Sequence, residues 1–299
     1  MDIESFSGAA TVALASTIVF VLVSKSWQIL TRTVSGGPRF ADSIMREAAQ
    51  RFRDEFDRLS SNQATYLSAG LVFVVLFVAA YVLNAERLFD GYPAWQLNIF
   101  LIALLAGAAL AAHRLVHTIL ARHRVRLLRD ANIAIGHQLH RLAAGFGHVY
   151  HDVETSAGVI DHVILGRSGA YAINVFVEPQ RKGGSVALDG NSLVFEPGTE
   201  PVSIVETAAR TAALEREFRR LLDHRVRIRS VIAAPGWHVN AQSSEEHLVV
   251  NDKSLPMLMG WKDKADYLIN EDVDALHQLL TERCSLKAAR GAPQDENSQ

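Results

Sequence analysis

One carboxylate, Asp161, lies in the middle of an otherwise largely apolar stretch, Val159 to Leu165. A second apolar stretch, Ala170 to Val177, follows after a short segment (166–169) rich in residue types that turn a chain. This pattern predicts two adjacent β-strands covered on both faces, as in the central sheet of an α/β domain. Because a carboxylate buried in such a sheet needs a cationic partner, a proton or a metal ion, Asp161 is the first candidate for chemistry.

The two predicted strands carry a recognisable order of residues, Ile160–Val163 (IDHV) and then Gly169–Ile173 (GAYAI). In this order the chain resembles the nuclease-related domain (NERD) family, which has a PD-(D/E)XK nuclease-like fold. The resemblance covers roughly residues 130–235 and implies a restriction-endonuclease-like α/β domain with the element order αβββαβ. It also implies an active site in which the Asp, here Asp161, and a Glu bind a divalent metal ion beside a catalytic Lys.

The positions that carry the family's chemistry are altered in this chain. Asn174 and Phe176 stand where the family has Glu and Lys, and His137 stands where a helical Gly-Glu pair has its Glu. An amide brings no charge to hold Mg²⁺, and a Phe side chain cannot activate water. We therefore expect a domain that keeps the fold, has lost the nuclease reaction and needs no cofactor.

A second interpretation restores the reaction with other residues. Glu178 lies two residues beyond Phe176, on the same face of the predicted strand, and Lys182 follows. Together with Asp161 they would rebuild a nuclease site that uses Mg²⁺ or Mn²⁺. The competing interpretation is that residues 178–182 form a polar turn that leaves the strand.

Histidine-rich stretches raise the question of a metal centre. His137 and His140 share a helix face, and His148, His151 and His162 are near in sequence. No close pair of ligands is followed by a second pair at a zinc-site spacing. The pattern therefore favours surface and partly buried histidines over a metal centre.

Charge and cysteine content limit the remaining classes of function. The net charge is -2, and the segment from residue 121 onward has nearly equal numbers of acidic and basic residues. An arginine-rich stretch, 216–229, is interleaved with Glu and Asp, so the signal for nucleic-acid binding is weak. The partner class stays open between nucleic acid and protein. The single cysteine, Cys284, excludes a framework of intramolecular disulfides.

Three uncharged apolar runs, residues 6–24, 65–83 and 97–112, predict transmembrane helices. The N-terminal flank lacks the basic region of a signal peptide, so we expect a retained helix there. The predicted organisation is a membrane domain (1–120), a NERD-like domain (121–287) and a disordered tail (288–299).

Lysine and arginine counts predict the orientation. The 25–64 loop carries seven, the 84–96 loop carries one, and the segment 113–129 carries five. The positive-inside rule then predicts that the N-terminus is outside and the large domain is in the cytosol. We expect an integral protein of the plasma or inner membrane, in contact with the lipid bilayer.

Two further patterns concern helix association. Residues 40–59 predict an amphipathic helix, with Glu47 and Arg51 spaced for an i,i+4 ion pair. In the third apolar run, Ala103, Gly107 and Ala111 form a face of small residues that permits close helix contact. For residues 40–59 the alternatives are a helix that lies against the membrane surface or the soluble domain and a helix that dimerises as a coiled coil. For the face of small residues the alternative is ordinary lipid contact. A homo-oligomer held by these helices, acting as a structural assembly factor, is a third functional hypothesis.

Overall fold

The computed structural model describes residues 44–82, 94–145, 147–179, 183–197, 200–240, 246–260 and 266–285. The predicted first span (6–24), Lys182 and the predicted tail (288–299) lie outside these ranges.

Two long helices, α1 (Gln50–Val82) and α2 (Ala94–Ala143), pack along each other. Gly70 of α1 is near Ala111 of α2, whereas Gln63 accepts a hydrogen bond from Arg122, so the helices run antiparallel. The predicted spans 65–83 and 97–112 fall inside them, apart from residue 83. Each helix contains a stretch long and apolar enough to cross a membrane.

Helix α1 merges two elements that the sequence predicted as separate. Of the predicted amphipathic helix (40–59), residues 40–43 lie outside the described ranges and residues 44–49 are not helical. Residues 50–59 are helical and continue into the apolar stretch without a break. Ser60 and Thr65 do not interrupt it, because each hydroxyl donates to the carbonyl four residues earlier. On the N-terminal side the helix cannot extend, since Ala49 has a positive φ of 63°.

Helix α2 is 50 residues long, which corresponds to about 75 Å. It contains the apolar run 97–112, the basic segment that follows and the predicted first helix of the α/β domain. A bilayer core takes up roughly 20 residues of such a helix. The remainder therefore extends beyond the apolar run, and its C-terminal end packs on the sheet.

The main sheet has the strand order β1-β2-β3-β7-β9. Strands β1, β2 and β3 form an antiparallel meander, and β7 and β9 continue the sheet in parallel with β3. The strands span β1 (Gly147–Thr155), β2 (Gly158–Gly166), β3 (Gly169–Val175), β7 (Ile228–Ala233) and β9 (His247–Val250).

Helices cover both faces of this sheet. Ile135 and Leu139 of α2 pack on one face. On the other face lie α3 (Val205–Leu222) and α4 (Asn270–Arg283), which contribute Phe218 and Leu276 to a second apolar cluster. The strands β2 and β3 are therefore buried from both sides, as their apolar runs predicted.

A smaller sheet of order β6-β5-β4-β8 packs beside the main one. It includes the hairpin of β4 (Ser185–Asp189) and β5 (Ser192–Glu196). Its remaining strands are β6 (Val202–Ser203) and β8 (His238–Val239), and a 3₁₀ helix follows β9 at Leu255–Met259. From α2 to β7, with β4, β5 and β6 of this smaller sheet set aside, the order of elements is α-β-β-β-α-β.

Residues 45–51, which we call the strap, lead into the first turn of α1 and lie against the α/β domain. Met45 forms a β-bridge with Ser285, and the Arg46 backbone N–H donates to the Cys284 carbonyl at 2.8 Å. The predicted division at residue 120 falls inside α2, and the strap contacts cross it.

Candidate functional site

Asp161 is buried on β2 with both carboxylate oxygens engaged. Its Oδ1 lies 2.7 Å from Nη2 of Arg51, and its Oδ2 accepts the backbone N–H of Val175 at 2.7 Å. The β2–β3 ladder is paired as far as His162 and Ile173, so the carboxylate binds strand β3 just past the last pair. Asp161 thus has the cationic partner that its burial required, and that partner belongs to the same chain.

The pKa of Asp161 is raised to about 6, chiefly by burial. The guanidinium of Arg51 and the N–H of Val175 oppose this shift, and the nearby Asp152 adds to it. At neutral pH the group is therefore mainly a carboxylate, and the ion pair with Arg51 is formed. The pair becomes sensitive to pH just below neutrality.

Asp152 on β1 is a second carboxylate in contact with Arg51. It has a positive φ of 50°, and its Oδ2 accepts the Arg51 backbone N–H at 2.9 Å. Arg51 Nε is 4.0 Å from Oδ1 of Asp152. Burial raises the pKa of Asp152 too. One arginine therefore serves two buried carboxylates.

Arg46 adds a second cationic contact from the strap. Its Nη1 donates to the Asp152 carbonyl at 2.8 Å and lies 2.8 Å from Glu154. Because β1 is an edge strand, this donor satisfies a carbonyl that the sheet leaves free. The strap therefore delivers positive charge to both the side chains and the edge of the meander.

Asn174 and Phe176 stand where the family resemblance implies Glu and Lys, and neither side chain is suited to metal chemistry. Asn174 is 1% exposed, and its amide O and N have no hydrogen-bond partner in the described residues. Phe176 packs against the apolar cluster that contains Phe195 and Trp237. Phe176 is therefore a partly buried apolar residue at the edge of this cluster.

Glu178 lies beyond the end of β3. Its carbonyl accepts from Trp237 Nε1 at 3.4 Å, and its side chain is partly exposed. Within the described ranges no hydrogen bond or ion pair links Glu178 to Asp161. The other member of the migrated site, Lys182, lies outside those ranges.

Gly136, the residue before His137, contacts the site, whereas the His137 side chain points away from it into solvent. His137 is exposed on α2, whereas Gly136 is buried. A Cβ at Gly136 would lie 2.6 Å from the Cβ of Ala48 and 3.4 Å from His151. The absence of a side chain at Gly136 is what lets the strap approach α2.

Three histidines form a hydrogen-bonded chain between α2 and the meander. His140 Nε2 lies 2.8 Å from Nε2 of His151, and His151 Nδ1 lies 2.7 Å from Nδ1 of His162. Burial lowers the pKa of His151 to about 4 and that of His162 well below its usual range. At neutral pH the two buried rings are therefore uncharged, and they link helix to sheet through hydrogen bonds.

The site does not fit the divalent metal ion that the family resemblance implies. A guanidinium lies at the Asp161 carboxylate, an amide replaces the second ligand, and a core Phe replaces the lysine. Across the described ranges, no group of three or more His, Cys, Asp or Glu side chains is arranged to hold a metal. Arg51 neutralises the carboxylates instead.

The predicted face of small residues is only partly at a helix interface. Gly107 and Ala111 face α1, where a Cβ on Gly107 would lie 2.8 Å from the Phe73 ring. Ala103 is exposed, and the residue that is buried at this level is Leu104. The face is therefore shifted by one residue at its N-terminal end.

Sequence reasoning missed the partners of Asp161. Arg51 was assigned to an ion pair with Glu47, but Glu47 pairs with Arg53 and Arg51 pairs with Asp161. The i,i+4 pair does not form, because residue 47 precedes the start of α1. The sequence signals for this ion pair were Asp161 within an apolar strand and the surplus of arginines in residues 25–64.

No protein-family model matches the chain, and neither the curated proteins nor the solved structures contain a significant match to it.

Proposed function

We propose that the chain is a membrane-tethered, NERD-like domain that has lost catalysis and binds a macromolecular partner at the cytosolic membrane face. The observation that carries the proposal is the state of Asp161. Both of its oxygens are held by groups of the same chain, the Arg51 guanidinium and the Val175 N–H. A carboxylate held in this way contributes to the structure and is not poised to bind a metal ion.

Support for the nuclease-like fold comes from the positions of the motifs. The IDHV segment lies on β2 and the GAYAI segment on β3, which are adjacent and antiparallel. The helix that precedes them and the parallel strand β7 that follows α3 have the expected order. This order is what the resemblance implies for a restriction-endonuclease-like domain.

Support for membrane tethering comes from α1 and α2. Each has a stretch of sufficient length and hydropathy, and little of either stretch is buried within the chain. Apolar helix surface of this extent needs a covering phase, and a bilayer provides it. The surplus of arginine and lysine next to both stretches favours a cytosolic α/β domain.

The charge distribution favours a protein over nucleic acid as the partner. Acidic and basic residues are nearly balanced from residue 121 onward. In the arginine-rich stretch, Arg229 is paired with Asp266 at 2.5 Å, so it is not a free phosphate contact. Nucleic-acid surfaces instead present unpaired cations along one face.

A cleavage assay tests the loss of catalysis. The full chain in detergent is incubated with labelled single- and double-stranded DNA and RNA in Mg²⁺ or Mn²⁺, beside Asp161→Ala. We expect no cleavage above background from either protein, and only weak, salt-sensitive binding in fluorescence anisotropy. Cleavage by the unmodified chain that disappears in Asp161→Ala would contradict the proposal and favour the Glu178 alternative. Tight binding without cleavage would make nucleic acid the partner.

A further inference from the structure

The strap is a short segment that closes over several elements of the α/β domain at once. It reaches the end of α4 through the Met45–Ser285 bridge and the Arg46–Cys284 hydrogen bond. It reaches α2 where Ala48 lies against Gly136. Its own backbone is fixed at Ala49, which is 1% exposed and has a positive φ.

Arg51 joins this segment to the meander by contacts to both buried carboxylates. Its guanidinium binds Asp161 and its backbone N–H binds Asp152. Withdrawal of Arg51 would deprive two neighbouring buried carboxylates of the cation that they share. A buried charge without a partner is strongly unfavourable, so positions of the strap in which Arg51 is only partly withdrawn are disfavoured. The strap therefore has two distinct positions, docked and released.

The strap is covalently continuous with α1, which runs along α2. A shift of α1 along α2 must therefore either carry Arg51 with it or break its contacts. We propose that the strap is a latch that couples the helical pair to the sheet, with Arg51 as the built-in cation that holds it shut over Asp152 and Asp161. This inference does not depend on the loss of catalysis, because it concerns only what holds the strap.

The chain carries its own reporter for the latch. Cys284 is the single cysteine of the sequence, it is buried, and its carbonyl accepts the backbone N–H of Arg46 in the strap. Burial raises the pKa of its thiol to about 12, so the thiol is unreactive while it stays covered. Met45 of the strap packs against the apolar cluster that contains Cys284. Release of the strap removes some of that cover.

The test is the rate at which a maleimide labels Cys284 in the full chain, in detergent or nanodiscs, under native conditions. We expect Arg51→Ala to label roughly tenfold faster than the unmodified chain, because the strap loses its contact with the buried carboxylates. Arg58→Ala is the matched control. Arg58 pairs with Glu55 on the exposed side of α1, so the labelling rate of this variant should be unchanged.

A second variant reaches the strap from the opposite side. Gly136→Ala adds a methyl group against Ala48 and leaves Arg51 intact. It should also raise the labelling rate, although Ala improves the helix propensity of α2. If Arg51→Ala does not fold, this variant still provides the test.

Circular dichroism and thermal melting, run on every variant, separate release of the strap from general unfolding. Faster labelling in Arg51→Ala and Gly136→Ala with native spectra supports the latch. Labelling at the unmodified rate in both folded variants would overturn it. So would faster labelling that follows global unfolding alone.

Discussion

The carboxylate of Asp161 shows how a buried charge can be satisfied by a partner from a distant part of the same chain. A guanidinium is a fixed, permanent cation with a planar array of donors, so it can satisfy a buried carboxylate as a metal ion would. Arg51 does this from a distant segment of the chain. The result is a contact that joins the start of α1 to the strands β1 and β2.

Substitution of Asp161 should alter the pH dependence of stability in a defined direction. The pKa of Asp161 is raised from 3.8 to about 6. Its contribution to stability is therefore fully present below pH 3.8 and is lost as the pH rises through 6. We expect Asp161→Asn to gain stability relative to the unmodified chain as the pH rises from 4 to 7, by up to about 3 kcal/mol.

Denaturant titrations at several pH values measure this difference. Asp189→Asn, at the exposed end of β4, is the control for replacing a carboxylate with an amide. A difference between Asp161→Asn and the unmodified chain that stays constant with pH would show that the carboxyl group is not perturbed by its burial.

At the scale of elements, the contact between α1 and α2 depends on a small residue at position 107. A side chain on Gly107 would meet the Phe73 ring, whereas Ala103 on the same helix is exposed. We expect Gly107→Ile to lower the melting temperature of the full chain, at a cost of about 1–3 kcal/mol for overpacking. Ala103→Ile, the control for added bulk, should have little effect. Equal effects of the two substitutions would contradict the observed interface.

Strands β2 and β3 could be predicted from the sequence because their apolar runs are short and are bounded by turn residues. The ends of α1 and α2 could not be predicted. No helix-breaking residue separates the apolar part of each helix from the polar part, which is also helical. Between Leu59 and Thr65 no Gly or Pro interrupts the pattern, and Ser60 is accommodated by its own hydrogen bond. A change in composition was therefore mistaken for a change in structure.

At the scale of the whole molecule, long-range contacts account for what the sequence did not reveal. Arg51 and Asp161 are 110 positions apart, and no periodicity or spacing links them. The same holds for the histidine chain, whose contacts depend on how α2 crosses β1 and β2. The need of Asp161 for a partner was predictable, because a charged residue within an apolar strand is unusual.

These contacts join the helical pair and the α/β domain into a single connected structure. The strap enters at the start of α1, and the far end of α2 is the helix that covers the sheet. A fragment that begins at residue 121 would lack the strap and with it the arginine that pairs with Asp161. Experiments on this protein therefore need the full chain.

Arg51 lies against the Asp161 carboxylate, where the family resemblance implies a divalent metal ion. A titration of the full chain with Mn²⁺, followed by isothermal calorimetry at neutral pH, tests this directly. We expect no stoichiometric binding that depends on Asp161, so the unmodified chain and Asp161→Ala should give the same isotherm. One equivalent of Mn²⁺ bound by the unmodified chain and lost in Asp161→Ala would contradict the account.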